Sequence, residues 1–239
     1  MRSFLSFWLI VSFAATSFAA ESKMKAIERI QAASTVLDEI ESAPDQRISE
    51  EVLASAECVA VVPTMLNGGF IVGARFGRGV ASCRTPKGWS APAFFSITGG
   101  SFGLQIGGQA IDLVMLIMNQ QGMNNLLSSK FKLGADASVA AGPVGRQAAA
   151  GTDWKLKAQV LSYSRARGAF AGLALNGAAI DQDKASTREF YGRMVPFNTS
   201  LKGTIEAPQT AYPFLNTLAK WAQTASGTPA AAKATEEKK

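Results

Sequence analysis

GGFIVGARFG (residues 68–77) and GGSFGLQIGG (residues 99–108) carry glycine at every fourth position, Gly69, Gly73 and Gly77 in the first and Gly99, Gly103 and Gly107 in the second. Residues four apart in a β-strand project to the same side, so each segment, read as a strand, has one face bare of side chains. Something must pack closely there. Glycine weakens a strand, and its repetition points to close backbone approach, a sharp bend or a curved sheet. The spacing recurs weakly at Gly168 and Gly172. The competing reading is a helical membrane-dimer motif, which needs about 20 uninterrupted apolar residues. Asn67, Arg75, Arg78, Ser101 and Gln105 interrupt these segments, which favours the strands.

Outward from these segments, the chain has 239 residues, 47% of them hydrophobic, enough for one good-sized domain. Arg2, the apolar run Phe4 to Phe13 and the small residues Ser17 and Ala19 predict a secretory signal peptide over residues 1–19, and hence a periplasmic or secreted protein. A disordered or anchoring N-terminus is the alternative. The domain then spans 20–223, and the alanine, lysine and glutamate tail at 224–239 has too little apolar material to fold.

Apolar periodicity predicts a helix from Lys23 to Glu41, with Met24, Ile27, Ile30, Leu37 and Ile40 on one stripe, and a short helix N-capped by Ser49. Strands are expected near 58–63, 68–76, 79–84, 93–106, 109–118, 154–164 and 169–177, with a turn at Lys87-Gly88. Further helices are expected over 120–129, 184–191 and 207–223. Export would make Cys58 and Cys83 a disulfide candidate, with two buried small apolar residues as the alternative. If the 68–76 strand separated the strands that carry them, the cysteines would be about 9–10 Å apart, too far to bond. Bridging requires neighbouring strands or a corner.

Charge is uneven. Between Ser128 and Ile180 seven cations face two carboxylates, a net +5, equal to that of the whole chain once Arg2 is removed (23 basic against 18 acidic). Six form cation-x-cation pairs, Lys130/Lys132, Lys155/Lys157 and Arg165/Arg167, each of which faces one way on a strand. Together they suggest an anion-binding face, although alternation is also what any half-exposed strand shows. At the start of the first helix, Lys23, Lys25 and Arg29 lie beside Met24, Ile27 and Ile30, a composition suited either to insertion at a membrane surface or to a frayed end.

Catalytic signals fail. Gly99-Gly100-Ser101-Phe102-Gly103 fits G-x-S-x-G, but the chain has no histidine and the sequence continues as a strand where the nucleophile elbow needs a helix. No phosphate loop, zinc spacing or calcium loop appears, so neither cofactor nor metal is expected. Asp112, inside the apolar run Ile111 to Met118, suits a tie to a buried backbone group. Scattered tryptophans argue against nucleic-acid stacking.

The run GWSAPAFFSITGGSFGLQIGGQAIDLVMLIMNQQGMNNLLSSKFKLGADASVAAGPVGR, then AQVLSYSRARGAFAGLALNGAAIDQD and EFYG, closely resembles the SYLF domain, or Ysc84 actin-binding domain, in its bacterial lipid-binding form. The resemblance covers about Met24 to Gly192. It implies binding of anionic phospholipid, partly through a basic amphipathic N-terminal helix; some fungal members also bind actin, which is irrelevant if this chain is exported. The lipid role carries over best to Lys130 of SSKF and to Arg165 and Arg167 of SYSRAR, and less directly to Lys23, Lys25 and Arg29. The expected protein is α+β, with a mainly antiparallel, curved β-sheet and flanking N-terminal and C-terminal helices. Its expected function is non-enzymatic binding of an anionic phospholipid membrane in the cell envelope. The alternatives are a protein-binding scaffold of the envelope, and an enzyme acting on an envelope lipid with a cluster drawn from Asp112, Asp136, Tyr163 or a lysine.

Overall fold

The structure, a computed structural model, describes residues 3–42, 48–69, 72–102, 107–128, 130–143, 158–166, 169–173 and 175–225, with side chains described from Glu21 onward except at 41, 69, 72, 101–102, 107, 169–170, 172 and 223–225. Helix α1 (Ser3–Glu41) precedes α2 (Glu50–Ser55), whose N-cap Ser49 accepts the Val52 N–H through its side chain. The strands are β1 (Cys58–Gly69), β2 (Val72–Thr85), β3 (Gly88–Trp89), β4 (Ala93–Phe102) and β5 (Gly107–Ile117), then β6 (Lys130–Lys132) and β7 (Val139–Ala141) after α3 (Gln120–Leu127). They continue with β8 (Val160–Ala166), β9 (Ala169–Gly172) and β10 (Ala179–Gln182). Helices α4 (Lys184–Tyr191), α5 (Phe197–Leu201) and α6 (Tyr212–Ala225) complete the described chain.

The strands form one sheet in the order β6-β10-β4-β2-β1-β5-β8-β7, with β3 on β2 and β9 on β8. Every pairing is antiparallel except β7 with β8. The fold is α+β, with a curved sheet flanked by N- and C-terminal helices. The two ends of the strand order, β6 and β7, come from one short segment, turned at Gly134 (φ 85°) and closed by a bridge between Leu133 and Ala137. A sheet whose edge strands are joined by six residues has to curl.

The curl gives the sheet a closed inner face and an outer face. Cys58, Ala60, Val62, Phe95, Ile97, Leu113 and Met115 fill the inner core with Phe131, Phe197 and Leu201. Val59, Val61, Val80, Phe94, Val114 and Leu116 face outward into a second core formed with α1, α2 and α6. Inside the curl, the expected close packing is present at Gly77, and Gly79, outside the every-fourth pattern, is packed as tightly. A Cβ at Gly77 would stand 2.5 Å from Val62 Cγ1, and one at Gly79 would stand 2.4 Å from the Val61 carbonyl oxygen and 2.6 Å from the Phe95 ring. Gly103 lies outside the described residues.

Several expected boundaries differ. The expected strand 58–63 runs on to Gly69 as β1, so Gly68 and Gly69 of the expected 68–76 strand lie on β1, with Gly69 paired to Gly73 across the two strands. Residues 72–76 and 79–84 belong to one strand, β2, because Gly77 and Gly79 are needed for inner packing and do not form a turn. Cys58 and Cys83 are therefore register partners on neighbouring strands, with sulfurs 2.04 Å apart. The expected strand at 169–177 ends early. Asn176-Gly177 (Gly177 φ 80°) turns the chain into β10, which pairs on the far side of the sheet with β4 and β6. The expected strand residues 154–157 lie outside the described residues.

Candidate functional site

Helix α1 does not present its apolar stripe to solvent. Ala26, Ile30, Ala33, Val36, Leu37 and Ile40 are buried in the outer core, while Met24 remains 55% exposed. Ser34 ties the helix to α6 through the Thr217 hydroxyl at 2.7 Å, and two ion pairs hold it to the rest of the fold. The Arg29 guanidinium, in cation–π range of the Phe94 ring, reaches Asp183 Oδ2 at 3.3 Å and Ser186 Oγ at 3.1 Å. Burial lowers the pKa of Arg29, against the opposing pull of Asp183. Ten residues on, Glu39 pairs with Arg165, whose Nε and Nη2 also donate to Asp112 Oδ2 at 2.9 and 2.6 Å.

Asp183 is the N-cap of α4. Its carboxylate accepts the Ser186 N–H at 3.0 Å and the Ser186 hydroxyl at 2.8 Å. Burial raises its pKa, but the Ser186 hydrogen bonds with Arg29 and Arg78 outweigh burial and hold it below its ordinary value. Asp112 ties down a backbone group, but an exposed one where a buried one was expected: it accepts the N–H of Thr64 at 3.1 Å, where the β1 bulge puts Thr64 at φ 67°.

The expected lipid-binding cations are thus distributed among different tasks. Arg29 and Arg165 anchor α1, Lys25 pairs with Glu21 at 2.8 Å, and Lys130 pairs with Asp181 at 3.4 Å while staying largely exposed. Lys23 and Lys132 are exposed, and the Lys132 backbone N–H donates to Asp136. Lys155, Lys157 and Arg167 lie outside the described residues. The side chains named for an enzyme do not combine. Asp112 is held by Thr64 and Arg165, Asp136 closes its own turn, and Tyr163 is buried against Gly142, its phenol pKa pushed up by burial. Among the described residues, no group of three or more His, Cys, Asp or Glu residues could hold a metal ion.

Two surfaces escaped the sequence reading. The first is a groove of about 770 Å³ between the β2–β3 hairpin and α6, lined by Trp89, Tyr212, Glu206, Asn216 and Lys87 among others. Trp89 is held in place: Arg84 sits 4.9 Å over its ring while Arg84 Nε and Nη2 donate to the carbonyls of Ala56 and Leu53. The second is a shallower groove of about 440 Å³ on the outer face, where Leu66 (55%) and Phe76 (46%) are exposed. Straight alternation from Val62 would send Leu66 inward. The bulge between Val62 and Met65 shifts the strand by one residue and turns Leu66 out.

A family model described as "Ysc84: Las17-binding protein actin regulator" matches residues 98–221. The chain belongs to the Ysc84 family. Similar proteins include Protein YSC84 of Saccharomyces cerevisiae, 33% identical over 178 residues that make up 73% of this chain and 38% of the yeast protein. The SH3 domain-containing YSC84-like protein 1 of rat is 33% identical over 72% of this chain and 52% of its own length. Its human counterpart is 32% identical over 70% and 49%. The chain spans about four tenths to half the length of these relatives.

These matches correct the envelope setting. The family's description is that of an actin regulator and the relatives are yeast and vertebrate proteins, so the reading of a signal-peptide-bearing, periplasmic or secreted protein of bacterial type is withdrawn. The oxidising-compartment argument for the cysteine pair falls with it; register is what brings Cys58 and Cys83 together. At family level the domain is associated with lipids and actin regulation, and it is not catalytic.

Proposed function

We propose that this chain is a non-enzymatic docking module whose protein partner is of the actin-regulatory kind. The observation that carries the reading is the groove at Trp89 and Tyr212. Tryptophan and tyrosine dominate binding hot spots when they stand in a partly desolvated pocket with a polar rim. Tyr212 is 43% exposed at the start of α6, and the fixed Trp89 ring loses little freedom when covered. Titration calorimetry of the purified chain against Las17, the partner named in the family's description, tests it. Trp89→Ala and Tyr212→Ala should each weaken binding about tenfold or more. Unchanged affinity in both would remove the groove from the interface.

Association with anionic phospholipid is the second reading, favoured by Lys23, Lys130 and Lys132, all exposed. Each cation near an anionic surface contributes about 1 kcal/mol, so three give roughly 3 kcal/mol, weaker than millimolar binding. Apolar contact must supply the rest, and the α1 stripe is already occupied. Co-sedimentation with vesicles should rise with anionic lipid and fall as salt shortens the Debye length from about 10 Å to about 3 Å. Equal binding to neutral and anionic vesicles would exclude the electrostatic component.

A further inference from the structure

We propose that the glycine-rich end of the sheet's outer face is the surface that enters an anionic bilayer, with Leu66 and Phe76 as the inserting side chains. The proposal rests on the phospholipid reading above and supplies the apolar contact which that reading lacks.

Register lays out the surface row by row. Lys132 lies opposite Ala179, Ala179 opposite Thr98, Thr98 opposite Phe76, Phe76 opposite Leu66, and Leu66 opposite Ala110. These six form one line across the outer face; Ala179 is partly covered and the other five are exposed. Toward the strand ends the next line is Gly100, Ala74, Gly68 and Gly108, all exposed, and a Cβ at Gly68 or Gly108 would meet nothing within 4 Å. Leu66 and Phe76 therefore project beside a flat floor of glycine and alanine, with Thr98 as the intervening residue of moderate size on their own line. Neither line contains an acidic residue, and Lys132 closes one end.

On the other side of Leu66 and Phe76 the next line holds Lys130, Asp181, Ser96 and Arg78, again by register. The line continues on β5 and β8 with Asp112 and Arg165, and both of its acids are paired, Asp181 with Lys130 and Asp112 with Arg165, while Arg78 is 53% exposed at 3.8 Å from Asp183. Adjacent same-face lines are two residues apart, about 7 Å along a strand. That separation matches the depth of about 5–10 Å to which apolar groups of interfacial proteins enter the headgroup boundary. With Leu66 and Phe76 at that depth, Lys130 and Arg78, one line back, reach the phosphates. This charge placement favours an anionic bilayer over a protein partner for this face.

Helix α1 explains why the surface is open. Its ties at Arg29 and Glu39 are ten residues apart, about 15 Å along a helix, and they meet the charged line near Arg78 and at Arg165. From β2 to β8 is three strand spacings, about 14 Å. The helix packs over the line beyond the charged one, where Phe94, Val80, Val61 and Val114 share its core, so its edge reaches only to the charged line and the Leu66 and Phe76 line stays uncovered.

The test uses the full chain with vesicles of phosphatidylcholine mixed with phosphatidylserine. Leu66→Asp with Phe76→Asp should reduce co-sedimentation at least about tenfold, since two apolar contacts are lost and two charges of the wrong sign are added. Phe76→Trp, read against the parent, should shift its emission to the blue on binding and be quenched by lipids brominated near the headgroup. If the parent binds but the double variant binds equally and Trp at 76 is not quenched, the insertion surface is overturned while the phospholipid reading stands. If the parent does not bind these vesicles at all, both fail.

Discussion

On the inner face of the sheet a Cβ at Gly79 would strike the Val61 carbonyl and the Phe95 ring, whereas on the outer face a Cβ at Gly68 would meet nothing within 4 Å. One residue type thus serves two ends. Inside the curl, glycine lets strands and aromatic rings approach more closely than any side chain permits, so it is a condition of the curvature. Outside, at the end left uncovered by α1, glycine has no packing role. There it keeps the surface flat around Leu66 and Phe76. The difference separates positions that hold the fold from positions free to serve binding.

The largest expected effect comes from filling the inner position. Gly79→Val should destabilise the protein by about 3 kcal/mol, the upper end of the range for overpacking, because one obstructing atom is a backbone carbonyl that cannot swing away. Chemical denaturation measures it, and a midpoint within error of the parent would show that the inner face is not tightly packed.

A smaller effect extends the comparison to charges. Asp183, with a side chain 7% exposed, anchors α1 and α4, whereas Asp181, 39% exposed, pairs with Lys130 at the surface. The pKa of Asp183 is depressed on folding, so its stabilisation is fully present above the ordinary carboxylate value and is lost as pH falls through the lower folded value. Asp183→Asn should cost about 1–3 kcal/mol at neutral pH and flatten the acid limb of melting temperature against pH. Asp181→Asn should change stability by no more than about 0.5 kcal/mol. Parallel acid limbs for the parent and Asp183→Asn would contradict the assignment.

The smallest effect has the opposite sign. Gly68→Ala and Gly108→Ala place a methyl in open space and reduce the freedom of the unfolded chain, so each should be neutral or stabilise by up to about 0.5–1 kcal/mol. Thermal melting checks it. A marked loss in either would mean that something covers the outer surface, and the contrast with Gly79 would disappear.

Local sequence signals were legible where one residue type has one physical use. Ser49 caps a helix, Asp112 ties down a backbone N–H, and residues 184–191 form a helix with the expected bounds. The candidate site was less legible. Arg165 reads as half of a basic pair until Asp112 is placed opposite it in register and Glu39 is brought over it by α1. Trp89 reads as one scattered aromatic until Arg84 and the 203–209 segment form a groove around it.

By itself the sequence determined that the glycine segments supply strands and not a helical motif, the flanking helices, the lack of histidine chemistry and the family, because these depend on periodicity, composition and ordered motifs. It did not show that each segment is shared between two strands, Gly69 on β1 with Gly73 on β2, and Gly99 on β4 with Gly107 on β5. Tertiary structure decided which face each glycine lines, which cations are committed to holding α1, and that Leu66 turns outward. Those outcomes depend on sheet curvature and on a one-residue bulge at Thr64, and a slip of one residue exchanges the two faces of a strand without changing any local pattern.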